Sequence, residues 1–320
     1  MMSLSRSAFI GAFVWCGLLA AARMHRLELE WIDLLFLFAP LVIVPLGLEL
    51  TGRIDWGVAP SLPERFACLI QLPCALLVVV SLCLERGILG AALSAVWLLF
   101  SGMLALGGLI RLYRGAFRRL DSAFPAVALV FLPVGAAWLI ASRLGLTPLG
   151  FQEPIVLLTA VHFHYASFAA PLLARSSRRA LGGSQMSSLR ATLLNLIAAG
   201  VLAGPALLAA GFVIGPRVKL AAALVLATSE IGLALSFVFA LRRISQPTPQ
   251  FLIALAAASV AFAMILAALW AVGEYPLQPF VHLAEMARLH GTANAFGFTL
   301  CGLLGWTFAA KVAEGRSDQK

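Results

Sequence analysis

The chain has 320 residues, of which 62% are hydrophobic and 12% charged, with a mean hydropathy of +0.97. A soluble domain carries about 25% charged and about 45–50% apolar residues, so composition excludes a soluble globule, a disordered or fibrous chain, a disulfide scaffold and a nucleic-acid-binding module. The net charge of +9 fits the basic loops that a polytopic membrane protein keeps on its cytoplasmic side.

A helix needs roughly 20 mostly apolar residues to cross a bilayer. Ten segments meet that requirement, near 7–22, 31–50, 66–84, 88–110, 123–141, 155–174, 191–214, 218–240, 250–271 and 291–310. The first follows Arg6 and ends in Ala20-Ala21-Ala22, which also has the form of a cleaved signal peptide. It is read here as a retained helix. The boundaries are loose, and the 190–240 stretch could be divided differently around Gly215-Pro216. The expected fold is all-α, a polytopic transmembrane helix bundle of about ten spans in a single integral-membrane domain, 1–320. A basic Ser/Gly linker at 175–189 would divide it into sub-bundles 1–174 and 190–320. In the 272–289 connection, Pro279, Phe280, His282, Leu283, Glu285 and Met286 suggest a short amphipathic helix at the interface.

Ten spans put both termini on one side. Arg23, Arg26, Arg86, Arg143, Arg217, Lys219 and Arg288 then fall on the opposite side, 7 basic residues against the 16 that share the side of the termini. This bias predicts cytoplasmic termini in an inner (cytoplasmic) membrane. The five cysteines, Cys16, Cys68, Cys74, Cys83 and Cys301, form no CxxC pair. They read as small buried or lipid-facing residues.

Ionisable groups inside spans are costly and mark candidate functional sites. Span six carries His162 and His164 in Thr159-Ala-Val-His162-Phe-His164-Tyr165-Ala-Ser-Phe168, on the order of 12 Å from its outer end. On a regular helix the two rings lie about 200° apart, with His162 and Tyr165 on one face and His164 and Phe168 on another. Span ten opens with His290-Gly-Thr-Ala-Asn294-Ala-Phe-Gly-Phe298, where His290 and Asn294 are i,i+4 neighbours. Glu230 stands about midway along span eight, beside Ser229, and such a carboxyl must be protonated or paired with a cation. Each histidine also has a plain structural reading, as a neutral imidazole bonded to a neighbouring helix. Glu153, Asp33 and Glu49 lie near span ends, where solvent can reach them.

These groups suit acid–base work on a lipophilic, isoprenoid-like molecule, of the isomerase, hydratase or cyclase type. In that reading His162, His164, Glu230 and His290 are catalytic, and Tyr165, Asn294, Ser229 and Glu153 bind substrate. No cofactor is required. The expected surroundings are the lipid bilayer and a lipophilic small molecule, with no nucleic acid, and the residues point to no protein partner. A metal bound by His162, His164 and His290 is a weaker reading, because no HxxxH or HExxH pair is present. Proton-coupled small-molecule transport is the alternative from another class, although no internal repeat is visible. The chain has no Walker A or GxSxG motif.

The motifs His162-Phe-His164-Tyr-Ala-Ser-Phe168 and His290-Gly-Thr-Ala-Asn294-Ala-Phe-Gly-Phe298, set in a multispan chain, resemble the YndJ-like family of bacterial membrane proteins. The resemblance implies that His162, His164, His290 and Asn294 belong to one site, and it does not choose between enzyme and carrier. Members of the family can carry a further soluble domain after the membrane part, and none is expected up to Lys320.

Overall fold

The computed structural model describes residues 4–52, 61–182, 187–276, 278 and 280–317. Arg53, Pro279 and the middle of the basic linker lie outside them. Among the described residues, ten helices are long and apolar enough to cross a membrane. They are α1 (Leu4–Arg23), α2 (Trp31–Gly52), α3 (Leu62–Cys83), α4 (Ile88–Tyr113), α5 (Leu120–Arg143), α6 (Ile155–Ala180), α7 (Ser188–Ile214), α8 (Pro216–Leu241), α9 (Pro247–Glu274) and α10 (Leu283–Lys311). Each sequence-predicted span falls on one of them. Two details differ from expectation. The start of the basic linker is helical, because α6 continues through Ala180 and buries Arg175 and Ser177. Leu283–Thr292 is no separate interfacial helix, since it runs without a break into the rest of α10.

The described chain packs as two compact units, Met1–Ala169 and Ala170–Lys320. In the first, α2 is the most buried helix, with Phe36, Leu37, Leu41 and Ile43 wholly enclosed. It contains Pro40 and Pro45, and its middle turn, Ala39–Ile43, is π-helical. Proline has no N–H to give to the preceding turn, and in this widened turn the carbonyls five residues before Pro40 and Pro45 are those of Leu35 and Pro40. Side chains from other helices bond them: Tyr165 Oη donates to the Leu35 carbonyl at 2.8 Å and Gln71 Nε2 to Pro40 at 2.8 Å. Nearby, Trp15 Nε1 donates to the Leu34 carbonyl at 2.7 Å. α1 approaches so closely that any Cβ on Gly11 would collide with the Leu41 carbonyl.

Where α3 starts and α4 ends, Glu64 and Arg111 form a buried ion pair. The other Glu64 oxygen caps α3, accepting from the Ser61 N–H at 2.8 Å and hydroxyl at 2.9 Å. Gly107 leaves the space that the carboxylate fills. At the other end of this unit Glu153 accepts from Ser142 and from the Leu157 N–H, 3.2 Å away. Arg143 donates to the Leu84 carbonyl at 2.6 Å.

In the second unit α8 is packed between α7 and α9. Gly200 and Gly204 let α7 settle on Ser229 and Leu226 of α8, the small-residue packing by which membrane helices approach closely. α8 and α9 are antiparallel. Gln250 Nε2 bonds the Leu241 and Ile244 carbonyls at one end, and Lys219 pairs with Glu274 at 2.9 Å at the other. α9 and α10 are antiparallel too, with His290 opposite Ala263, Gly297 against Ser259 and Gly305 against Ile253.

Breaking one partner of a buried ion pair strands the other charge, at a cost of about 3–5 kcal/mol, whereas replacing both is far less costly. Glu64→Leu alone should therefore lower the thermal midpoint in detergent sharply, and Glu64→Leu with Arg111→Met should recover most of it. Equal losses in the single and double variants would contradict the pair's role.

Candidate functional site

His164 is 0% exposed. Its Nδ1 lies 2.8 Å from the Ala160 carbonyl, and a carbonyl can only accept, so Nδ1 carries the hydrogen. Nε2 accepts from Trp97 Nε1 at 3.0 Å. The ring is thus a neutral imidazole with both nitrogens engaged. Phe36 meets it edge-on, with centroids 5.1 Å apart. A methyl group on Gly135 would stand 2.7 Å from Nδ1, which makes that glycine a condition of the ring's position. His162 points elsewhere. It is exposed on the chain's surface and donates Nδ1–H to its own helix at Leu158, 2.8 Å away. The two histidines of span six do not share a face, as a regular helix requires.

Directly after His164 the helix widens into a π segment, Tyr165–Ala169. That change of phase separates Tyr165 from the exposed face of His162 and turns its hydroxyl toward Leu35. His162 is exposed and Tyr165 buried, so the two do not share the face that their spacing put them on. Glu153 is held by Ser142, the Leu157 N–H and Arg86, which accounts for it as a capping group at the head of α6.

The second unit repeats the imidazole pattern. His290 Nδ1–H donates to the Ala263 carbonyl at 2.9 Å, and Nε2 accepts from Asn294 Nδ2 at 3.0 Å. The predicted i,i+4 pair on one face is present. Because His290 accepts at Nε2, Asn294 must turn its NH2 toward the ring, and its Oδ1 faces away as an acceptor. From Ala293 to Leu300 the backbone is again π-helical. Such segments inside α-helices recur at functional sites, and here each histidine motif leads into one.

Glu230 is 3% exposed, and its Oε2 has no hydrogen-bond partner. Among the described residues no basic group pairs with it, whereas Glu64, Glu153 and Glu274 each have one. Ser229, its neighbour, donates to Val225 of its own helix at 2.7 Å and faces Gly200. The register of α8 and α10 follows from the two antiparallel pairings with α9, which make α8 and α10 parallel. Phe237 packs against both Phe298 and Trp306, with centroids 6.1 and 5.6 Å away. Glu230 lies on the same face as Phe237, two turns or roughly 10 Å nearer the start of α8. The Thr299 hydroxyl is wholly buried and has no partner.

The candidate residues thus divide by unit, with His162, His164, Tyr165 and Glu153 in the first and Ser229, Glu230, His290 and Asn294 in the second. Among the described residues no group of three or more His, Cys, Asp or Glu could hold a metal ion. Both ring nitrogens of His164 and of His290 already hold partners. Trp97, Thr299 and the π segments escaped sequence reasoning.

Ten spanning helices, broken by π segments and holding ionisable groups at membrane depth, define a multi-pass membrane protein. A family model described as YndJ-like protein matches residues 34–298, a range that holds both histidine motifs, and the chain belongs to that family. A similar relative is the "Uncharacterized membrane protein YndJ" of Bacillus subtilis (strain 168), 26% identical over 304 residues. The match covers 95% of this chain and 53% of the relative, so the chain spans about half the length of the protein it matches. No solved structure matches the chain.

The ring geometry fixes a tautomer that nitrogen NMR can read. In histidine-labelled protein at neutral pH, His164 and His290 should each show a protonated Nδ1 and an unprotonated Nε2. Trp97→Phe should leave the His164 acceptor unsatisfied and destabilise the fold by about 1–3 kcal/mol. A doubly protonated ring, or a Trp97→Phe protein as stable as wild type, would refute the assignment.

Proposed function

We propose that the protein is a proton-coupled carrier of a small solute in a bacterial cytoplasmic membrane, with both termini on the cytoplasmic side and Glu230 as the group that carries the proton. The observation behind this reading is the Glu230 carboxyl, buried midway along a spanning helix with one oxygen unpartnered and, among the described residues, no cation paired with it. A carboxylate charge left in that position costs several kcal/mol or more. Intramembrane carboxyls of this kind are typical proton relays. The π segments fit as well, since irregular backbone at membrane depth commonly surrounds a solute site in carriers.

An acid–base enzyme acting on an isoprenoid-like molecule is supported less. It needs an imidazole with a nitrogen available to take a proton, and both nitrogens of His164 and of His290 already hold partners.

The test uses the full chain in proteoliposomes with a trapped pH-sensitive dye. Amino acids, sugars, carboxylates and amines are added one at a time. At least one class should shift the internal pH with the wild type, and Glu230→Gln, checked for folding by gel filtration, should lose that shift. No proton movement with any solute, or equal movement in Glu230→Gln, would overturn the carrier. A lipophilic product found only in cells expressing the wild type would restore the enzyme.

A further inference from the structure

We infer that the turn joining α8 to α9 carries a groove for one anionic phospholipid, with Arg242 on the phosphate and the face of α9 from Pro247 to Ala254 along the acyl chain. The site stands whether or not the protein is a carrier.

The groove lies wholly in the second unit. Its volume is 480 Å3, and Leu241, Arg242, Pro247, Gln250, Phe251 and Ala254 line it. The last four recur at i, i+3, i+4 and i+7, so they form one face of the first turns of α9. Phe251 is 67% exposed, and the face runs on from the turn into an apolar spanning helix. Arg242 stands at the head of this face, exposed, directly after the last residue of α8. Gln250 holds the turn in place, because its Nε2 donates to the Leu241 and Ile244 carbonyls. A cationic head above an apolar wall matches the two ends of a phospholipid.

Charge selects among lipids. Contacts inside this unit gather four more arginines at the same end. Arg243 follows Arg242 in the turn. Ser177 bonds Ser236 at 2.6 Å, which brings the end of α6, with Arg178 and Arg179, to the last turns of α8. Gly200 against Ser229 and Gly204 against Leu226 make α7 antiparallel to α8, so Arg190 lies at that end too. From Arg175 to Gly273 the only acidic residue is Glu230, about 18 Å back along α8 from Arg242. The ion pairs among the described residues involve none of Arg179, Arg190, Arg242 and Arg243. Basic clusters of this kind attract anionic headgroups.

The alternatives meet only half of the site. A soluble anion would answer the arginines and leave Phe251 bare. A zwitterionic lipid fits the wall, but it brings a cation of its own to a cluster of five. An anionic phospholipid supplies a phosphate at the level of the turn and hydrocarbon beneath it.

The test uses the full chain, purified in detergent and stripped of lipid. Phosphatidylglycerol, phosphatidylethanolamine and soluble glycerol phosphate are titrated separately, and native mass spectrometry counts the molecules bound. Phosphatidylglycerol should occupy one tight site and bind more strongly than phosphatidylethanolamine. Arg242→Gln should weaken phosphatidylglycerol roughly fivefold, the worth of one cation beside an anionic headgroup. Arg243→Gln removes the same charge next door, outside the lining of the groove, and should have little effect. Ala254→Phe fills the groove without changing the charge, and it should weaken binding at least as much as Arg242→Gln. Gel filtration of each lipid-free variant checks its fold. If Ala254→Phe does not fold, the comparison of Arg242 with Arg243 decides alone.

Equal binding of the two lipids, equal losses from Arg242→Gln and Arg243→Gln, or undiminished binding by a folded Ala254→Phe overturns the groove. Glycerol phosphate bound as tightly as the lipid would make the occupant a soluble anion and overturn the lipid.

Discussion

Inside a bilayer, every backbone N–H and C=O must find its partner within the protein, because no water is there to substitute. Ten helices meet this demand almost everywhere by their own ladders, and the rest of the architecture turns on the places where they do not. Pro40 and Pro45 remove two donors from the most buried helix of the first unit. The carbonyls they orphan would each cost a kilocalorie or more; Tyr165 and Gln71 come from two other helices to meet that demand, and Trp15 from a third adds a bond to Leu34. Those bonds fix the approach of α1, α3 and α6 to α2 more specifically than apolar packing can, since lipid is as apolar as leucine.

The same constraint explains the histidines. An imidazole in a dry interior is best used as a bridge, donating through one nitrogen and accepting through the other. His164 joins a carbonyl of its own helix to Trp97 on α4, and His290 joins a carbonyl of α9 to Asn294. In each case the bridge lies beside a π segment, where the ladder changes spacing. The polar residues that first look like chemistry turn out, for the most part, to hold the irregular backbone in place.

Hydropathy read all ten spans because a bilayer imposes both length and apolarity, and Gly215-Pro216 marked its boundary by the ordinary rules for helix ends. The His290–Asn294 pair was legible because i,i+4 neighbours meet within one helix. What stayed hidden needed another helix or a change of phase. Trp97 is 67 positions from His164, and nothing in either segment announces the other. Arg111 lies just past the predicted span 88–110 and ends buried against Glu64, 47 positions away. Tyr165 left the face of His162 because the helix widens at that residue, a local event without a periodic signature.

Glu230 stands apart from this economy. Every other buried carboxylate discussed above caps a helix or meets an arginine, and removing its partner would expose an isolated charge. Among the described residues Glu230 has no such partner, so an ion pair does not account for it. In the carrier reading proposed above, a bound proton neutralises that carboxyl, and losing the proton has to be matched by a cation or by a polar path. Otherwise the apolar interior would hold an uncompensated charge, at a cost of several kcal/mol or more.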